Sequence, residues 1–114
     1  MSTTGFVKDV ASVDQNCFVN TINFTKLVSS VVLNWLVNTI KKAQRVHSVI
    51  LDYFVNTLDF VKLASSVILN FYVNTVKFVE RVWLVILNGS VNIIKKIQDV
   101  LNVILDYFAN ITIN

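Results

Sequence analysis

The sequence predicts an all-α fold: long amphipathic helices built from tandem 18-residue repeats, packed as a helical hairpin, a bundle or an oligomer. Three observations carry it. An 18-residue unit recurs along the chain, and that length is five turns of helix at about 3.6 residues per turn. The side chains of each unit sort to two flanks of a helical wheel. Finally, the 114 residues hold no Pro and only Gly5 and Gly89, where an all-strand chain normally needs many turn residues.

The interval is set by Asn20, Asn38, Asn56, Asn74, Asn92 and Asn110, which are evenly spaced along the chain. Aligned on these asparagines, residues 1–114 read as a single repeat domain. It comprises a degraded copy at 2–19, copies at 20–37, 38–55, 56–73, 74–91 and 92–109, and a partial copy at 110–114. Residues 40–56 also resemble 94–110 at an offset of 54, as if three units had been duplicated together. Strict two-unit alternation is therefore absent, and a solenoid of helical hairpins, whose inner and outer helices face different surroundings, loses support.

Within a copy, the wheel places the positions of Asn20, Asn23, Lys26, Leu27, Ser30 and Asn34 on one arc. The opposite arc gives the expected apolar face. In the copy at 20–37 it is Ile22, Val28, Val31, Val32 and Leu33, and in the next copy Ile40, Val49, Ile50 and Leu51. Val67, Ile68, Leu69, Val85, Ile86, Leu87, Val103, Ile104 and Leu105 continue it. The unbroken run Val31-Val32-Leu33 departs from the strict alternation of a half-buried strand. A reversal is expected at Asn88-Gly89-Ser90, where Gly can cap one helix and Ser begin the next. Further reversals at Asn-Thr or Ser-Ser pairs would give two to four long helices.

The rival fold is a β-solenoid with 18-residue coils. Its Asn20-type and Asn34-type positions would stack as turn ladders, and its Val positions would fill the interior. It accounts for the retained asparagines better than a helix does, and the prevalence of Val, Ile, Thr and Phe leans the same way. Two features also fit the wheel poorly. Val19, Val37, Val55, Val73 and Val91 fall in the polar arc, and Thr21, Thr39 and Thr57 fall in the apolar one.

Composition bounds the function. Hydrophobic residues make up 54% and charged residues 15%, more apolar surface than a small monomer can hide, so a homo-oligomer or a lipid surface is expected to cover the excess. Ten Lys and Arg against seven Asp and Glu give +3, too mild to announce nucleic acid but compatible with anionic headgroups. The basic pairs Lys41-Lys42 and Lys95-Lys96 read as a solvated edge or as headgroup contacts. Residues 18–40 contain the single charge Lys26, but four Asn and three Thr argue against a membrane span.

The start of the chain lacks the pattern of a secretory signal, and the single Cys17 cannot form an internal disulfide. An intracellular setting, with membrane association left open, is the default, and the compartment is otherwise unassigned. One His, one Cys, one Glu and six Asp form no catalytic constellation. No catalytic residue, cofactor or metal is expected. His47 shares its repeat position with Ser29, Ser65, Trp83 and Leu101, and Cys17 shares its own with Trp35, Tyr53, Phe71 and Tyr107. Asp52 and Asp106 alternate with Asn16, Asn34, Asn70 and Asn88, which disfavours metal ligation there.

These readings converge on a non-enzymatic repeat protein whose amphipathic helices bury a wide apolar face in a lipid interface or in self-association. In outline its tandem units are similar to those of exchangeable apolipoproteins and lipid-droplet coat proteins, a resemblance that implies a lipid surface as partner. The alternative is a purely structural, self-assembling repeat protein: a bundle, filament or β-solenoid, including a designed or newly arisen chain with no evolved activity. A carrier of an apolar ligand is the second alternative. The expected partners are a second copy or a lipid surface, and neither nucleic acid nor metal.

Overall fold

Val, Ile, Thr and Phe are stiff or bulky at Cβ and fit a pleated surface better than a helical one, and here they form strands throughout. The computed structural model describes residues 1–106 and 109–112, and side-chain environments through Leu105. Among the described residues there is no helix.

The described residues form thirteen strands wound as a parallel β-solenoid. One sheet holds seven strands, stacked in the order β1 (Ser2–Lys8), β3 (Val19–Lys26), β5 (Val37–Ile40), β7 (Val55–Leu58), β9 (Val73–Glu80), β11 (Val91–Gln98) and β13 (Ala109–Thr112). The other holds six, β2 (Ser12–Gln15), β4 (Val28–Asn34), β6 (Val46–Asp52), β8 (Ala64–Asn70), β10 (Val82–Asn88) and β12 (Asn102–Asp106). Every neighbouring pair is parallel and offset by one repeat, as in Asn20↔Asn38 and Val31↔Val49. Each side chain therefore lies above its counterpart in the next coil, about 4.8 Å away. The Cα envelope measures 34 × 30 × 18 Å.

The interior is filled by six inward positions per coil, which in the second coil are Asn20, Ile22, Thr25, Val28, Val31 and Leu33. Their counterparts Ile40, Ala43, Val49 and Leu51, then Leu58, Val61, Val67 and Leu69, are fully buried. In the first coil the Ile and Leu positions become Thr4 and Gln15, and the Gln15 amide donates to the Thr4 hydroxyl.

The all-α expectation is thus overturned, and with it the amphipathic helices and the helical hairpin or bundle. The cause is visible in the inward spacing. From Asn20 to Leu33 the steps are 2, 3, 3, 3 and 2 residues, because pairs such as Asn23-Phe24 and Ser29-Ser30 both face outward. Steps of three imitate a helical stripe. The Val31-Val32-Leu33 run is in fact alternating, with Val31 and Leu33 inside and Val32 on the outer face.

The scarcity of Gly and Pro has a physical reason too. One corner turns at Asp9, Leu27, Arg81 and Asp99, with φ of 55°, 58°, 58° and 56°. The other turns at Trp35, Tyr53 and Phe71, with φ of 138°, 123° and 91°. Left-handed backbone costs a non-glycine residue roughly 1–2 kcal/mol and persists where the surroundings over-determine it. Here hydrogen bonds to the coils on either side supply that constraint, such as Trp35 N–H to Asp52 C=O at 3.1 Å and Tyr53 N–H to Asn70 C=O at 3.0 Å.

Candidate functional site

The retained asparagines hold the aromatic corner together from within. Asn20, Asn38, Asn56, Asn74 and Asn92 are buried, and each of the first four donates its amide nitrogen to the side-chain oxygen of the next at 2.9 Å. The same nitrogens bond the corner carbonyls: Asn38 those of Trp35 (3.0 Å) and Asp52 (3.1 Å), and Asn56 those of Tyr53 (3.0 Å) and Asn70 (2.8 Å). Two amide hydrogens spread over three acceptors. Asn is suited to this position because it donates to the corner and still accepts from its neighbour in the stack. Asn110 belongs to β13, but its side chain lies outside the described ones, and Tyr107 and Phe108 lie outside the described residues altogether.

At Asn88-Gly89-Ser90 the chain leaves β10 and enters β11 through this corner. A Cβ on Gly89 would lie 2.8 Å from the carbonyl oxygens of both Phe71 and Tyr72. Glycine is there for space, against the backbone of the preceding coil and the Asn74 side chain, and the reversal is a solenoid corner rather than a helix cap.

The residues expected on one apolar face are divided between two surfaces. Ile22, Val28, Val31, Leu33, Ile40, Val49, Leu51, Val67, Leu69, Val85 and Leu87 are buried in the core, with Val103 and Leu105 packed against it. Val32, Ile50, Ile68, Ile86 and Ile104 instead form a stripe along the outside of the six-stranded sheet, with Ile104 48% exposed.

Beside that stripe, the aromatic corner carries a second apolar ladder. Trp35 stacks on Tyr53 (5.8 Å between centroids), Tyr53 on Phe71 (5.4 Å), and Phe54 on Tyr72 (5.2 Å). Phe18 meets Trp35 edge-on at 5.2 Å, and Phe18, Trp35, Tyr53, Phe71 and Tyr72 are all exposed. Cys17, at the same corner, is half-buried and its backbone N–H donates to Asn20 Oδ1.

The seven-stranded sheet has a different outer surface. Phe6 stacks on Phe24 (4.9 Å) and Phe60 on Phe78 (5.1 Å). The Lys42 ammonium lies 5.6 Å from the Phe24 ring and 5.8 Å from the Phe60 ring. Lys96 sits 5.4 Å from Phe78, so each expected basic pair contributes a member to a cation–aromatic column. Lys77 pairs with Asp59 at 3.3 Å.

At the corner opposite the aromatic one, a groove of about 690 Å³ runs along the solenoid axis. Arg45, Leu63, Arg81 and Asp99 line one side, and Ser29, His47, Ser65, Trp83 and Leu101 the other. His47 Nδ1 lies 3.1 Å from Ser65 Oγ. The repeat position that His47 shares with Ser29, Ser65, Trp83 and Leu101 thus forms one continuous wall, and the alignment of copies was the sequence signal for it. The chain matches no protein-family model, no curated protein and no solved structure.

Proposed function

We propose that this β-solenoid is a structural, non-enzymatic repeat module that self-associates side by side through the outside of its six-stranded sheet. The observation that carries this reading is the stripe of half-buried Val32, Ile50, Ile68 and Ile86 and exposed Ile104, one apolar side chain in each of five stacked coils, running beside an exposed aromatic ladder. Contiguous apolar surface of this kind marks an interaction site.

A second copy is the occupant the geometry favours. The stripe and its partner would share one repeat along the axis, so two such faces, related by a twofold axis, are self-complementary. With strands about 4.8 Å apart and residues about 3.3 Å apart, the face covers roughly 600 Å². Two copies then bury about 1,200 Å², the lower bound for a specific interface, and the aromatic corner adds to it. The surrounding outward positions are mostly Ser and Asn, with Asp14 and Asp52 as charges and no Lys or Arg among the described residues. The expected lipid-binding amphipathic helix is replaced by a surface of strands, and a carrier role finds little support in an interior filled by stacked side chains.

Sedimentation equilibrium tests the proposal. The wild-type chain should associate in the micromolar range, and Ile68→Lys, an outward change, should leave the melting temperature within a few degrees while shifting the chain to monomer. A wild-type monomer, or association indifferent to Ile68→Lys and Ile50→Lys, would reject it.

A further inference from the structure

Net charge conceals how the charges are arranged. All ten Lys and Arg fall in only four repeat positions, those of Asn23, Phe24, Lys26 and Leu27. Four of the seven carboxylates share those positions, a net of +6, while Asp14, Asp52 and Asp106 lie elsewhere. Half of these cations, Lys41, Lys42, Lys77, Lys95 and Lys96, stand at positions on the outer side of the seven-stranded sheet, and at the corner beside it Lys8, Lys26, Arg45, Lys62 and Arg81 stand with Asp9, Glu80 and Asp99, a net of +2.

At that corner the charges follow the winding. Lys26, Arg45, Lys62 and Arg81 come from four successive coils and alternate between two neighbouring positions. A cation thus recurs about every 4.8 Å along the axis. All four line the corner groove or the smaller depression that continues it. None is held in an ion pair among the described residues, where Lys77–Asp59 is the ion pair present. Asp99, which also lines the groove, ends the basic track on that side.

The facing wall offers different chemistry. Ser29 and Ser65 carry hydroxyl donors, and Trp83 is 65% exposed although a large ring is ordinarily buried. A linear track of unpaired cations beside an exposed aromatic ring is how proteins hold single strands: the cations follow the phosphates and the ring stacks a base.

We infer that this groove binds single-stranded nucleic acid along the solenoid axis, with Lys26, Arg45, Lys62 and Arg81 on phosphates and Trp83 stacked on a base. A lipid headgroup layer would meet cations on a flat face, whereas these rim a concavity. A bare phosphate polymer would make no use of Trp83. The modest overall charge argued against nucleic acid only as a sum over the whole chain, in which the row of four cations is offset by carboxylates that stand mostly outside the groove.

The test is a fluorescence titration of the Trp35→Phe chain, in which Trp83 is the remaining tryptophan, with oligo(dT). Binding should quench Trp83 and weaken about 50-fold between about 50 and 200 mM salt, as expected for four single-strand phosphate contacts. Arg45→Gln with Arg81→Gln should weaken binding more than about tenfold. In the two-tryptophan chain, followed by anisotropy of labelled oligo(dT), Trp83→Ala should weaken it about fivefold or more. Both variants change outward side chains and should melt as the parent does.

Absence of oligo(dT) binding at low salt would overturn the inference, as would affinity indifferent to the paired arginine change. Inorganic polyphosphate binding as tightly, with Trp83→Ala without effect, would reject a base-stacked strand in favour of a phosphate chain. Binding to phosphatidylserine vesicles but not to oligo(dT) would reject it in favour of a lipid surface.

Discussion

Replacing Asn56 by Ala removes the middle rung of the buried amide stack while leaving every strand pairing in place. Asn56 accepts from Asn38 and donates to Asn74 Oδ1, Tyr53 C=O and Asn70 C=O, all within 2.8–3.0 Å. The Asn70 carbonyl retains the Tyr53 N–H at 3.0 Å, and Asn38 retains two corner carbonyls. Tyr53 C=O and Asn74 Oδ1 lose the Asn56 donor. Each buried acceptor left without a donor costs about 1–3 kcal/mol, and the vacated volume adds to that, so the change should destabilise by about 2–5 kcal/mol. For a domain of this size that is a fall in Tm of roughly 8–20 °C. Thr57→Ala, one residue along and facing outward, is the control and should stay within about 0.5 kcal/mol. Urea unfolding followed by circular dichroism measures both. Equal midpoints for the two variants would refute the claim that the asparagines carry the corner.

Further outcomes follow from the same geometry. Val67 and Ile68 are neighbours on opposite sides of one strand, so Val67→Asp should unfold the chain or cost more than about 4 kcal/mol, while Ile68→Asp should cost less than about 1 kcal/mol; comparable losses would contradict the inside–outside assignment. Thr25 is buried with no partner for its hydroxyl, and Val occupies the same position at 61 and 79, so Thr25→Val should raise stability by about 1 kcal/mol by thermal melt. Gly89→Ala would press a methyl against two carbonyl oxygens at 2.8 Å and should destabilise by about 1–3 kcal/mol. The far-ultraviolet spectrum should be that of sheet and should gain no helix with anionic vesicles; induced helicity would overturn the fold.

The repeat interval was legible because every strand pairing repeats it. The conformation was not, because one repeat unit closes five helical turns as neatly as it closes one coil, and the paired outward residues at Asn23-Phe24 and Ser29-Ser30 stretch the inward spacing toward that of a helix. The asparagines were the better guide. A solvated helix face has no reason to keep Asn at one position through five copies, whereas a buried ladder needs a side chain that both donates and accepts. The Val19 and Thr21 positions, discordant on the wheel, are ordinary outward residues of a strand. The groove went unseen because Lys26, Arg45, Lys62 and Arg81 each stand nearly a full repeat from the next, so no short window along the chain gathers them.

Because each coil pairs with the next at a shift of one whole unit, the fold has no privileged copy number. Inserting or deleting one complete unit would leave every remaining side chain on its present side, whereas losing a single residue would turn a strand's interior outward. The likeness of residues 40–56 to 94–110, three coils apart, is what growth by whole-unit duplication leaves behind, and it brings Lys41-Lys42 and Lys95-Lys96 to the same edge of the molecule. Genetic slippage can therefore lengthen or shorten this protein without asking it to find a new way to fold.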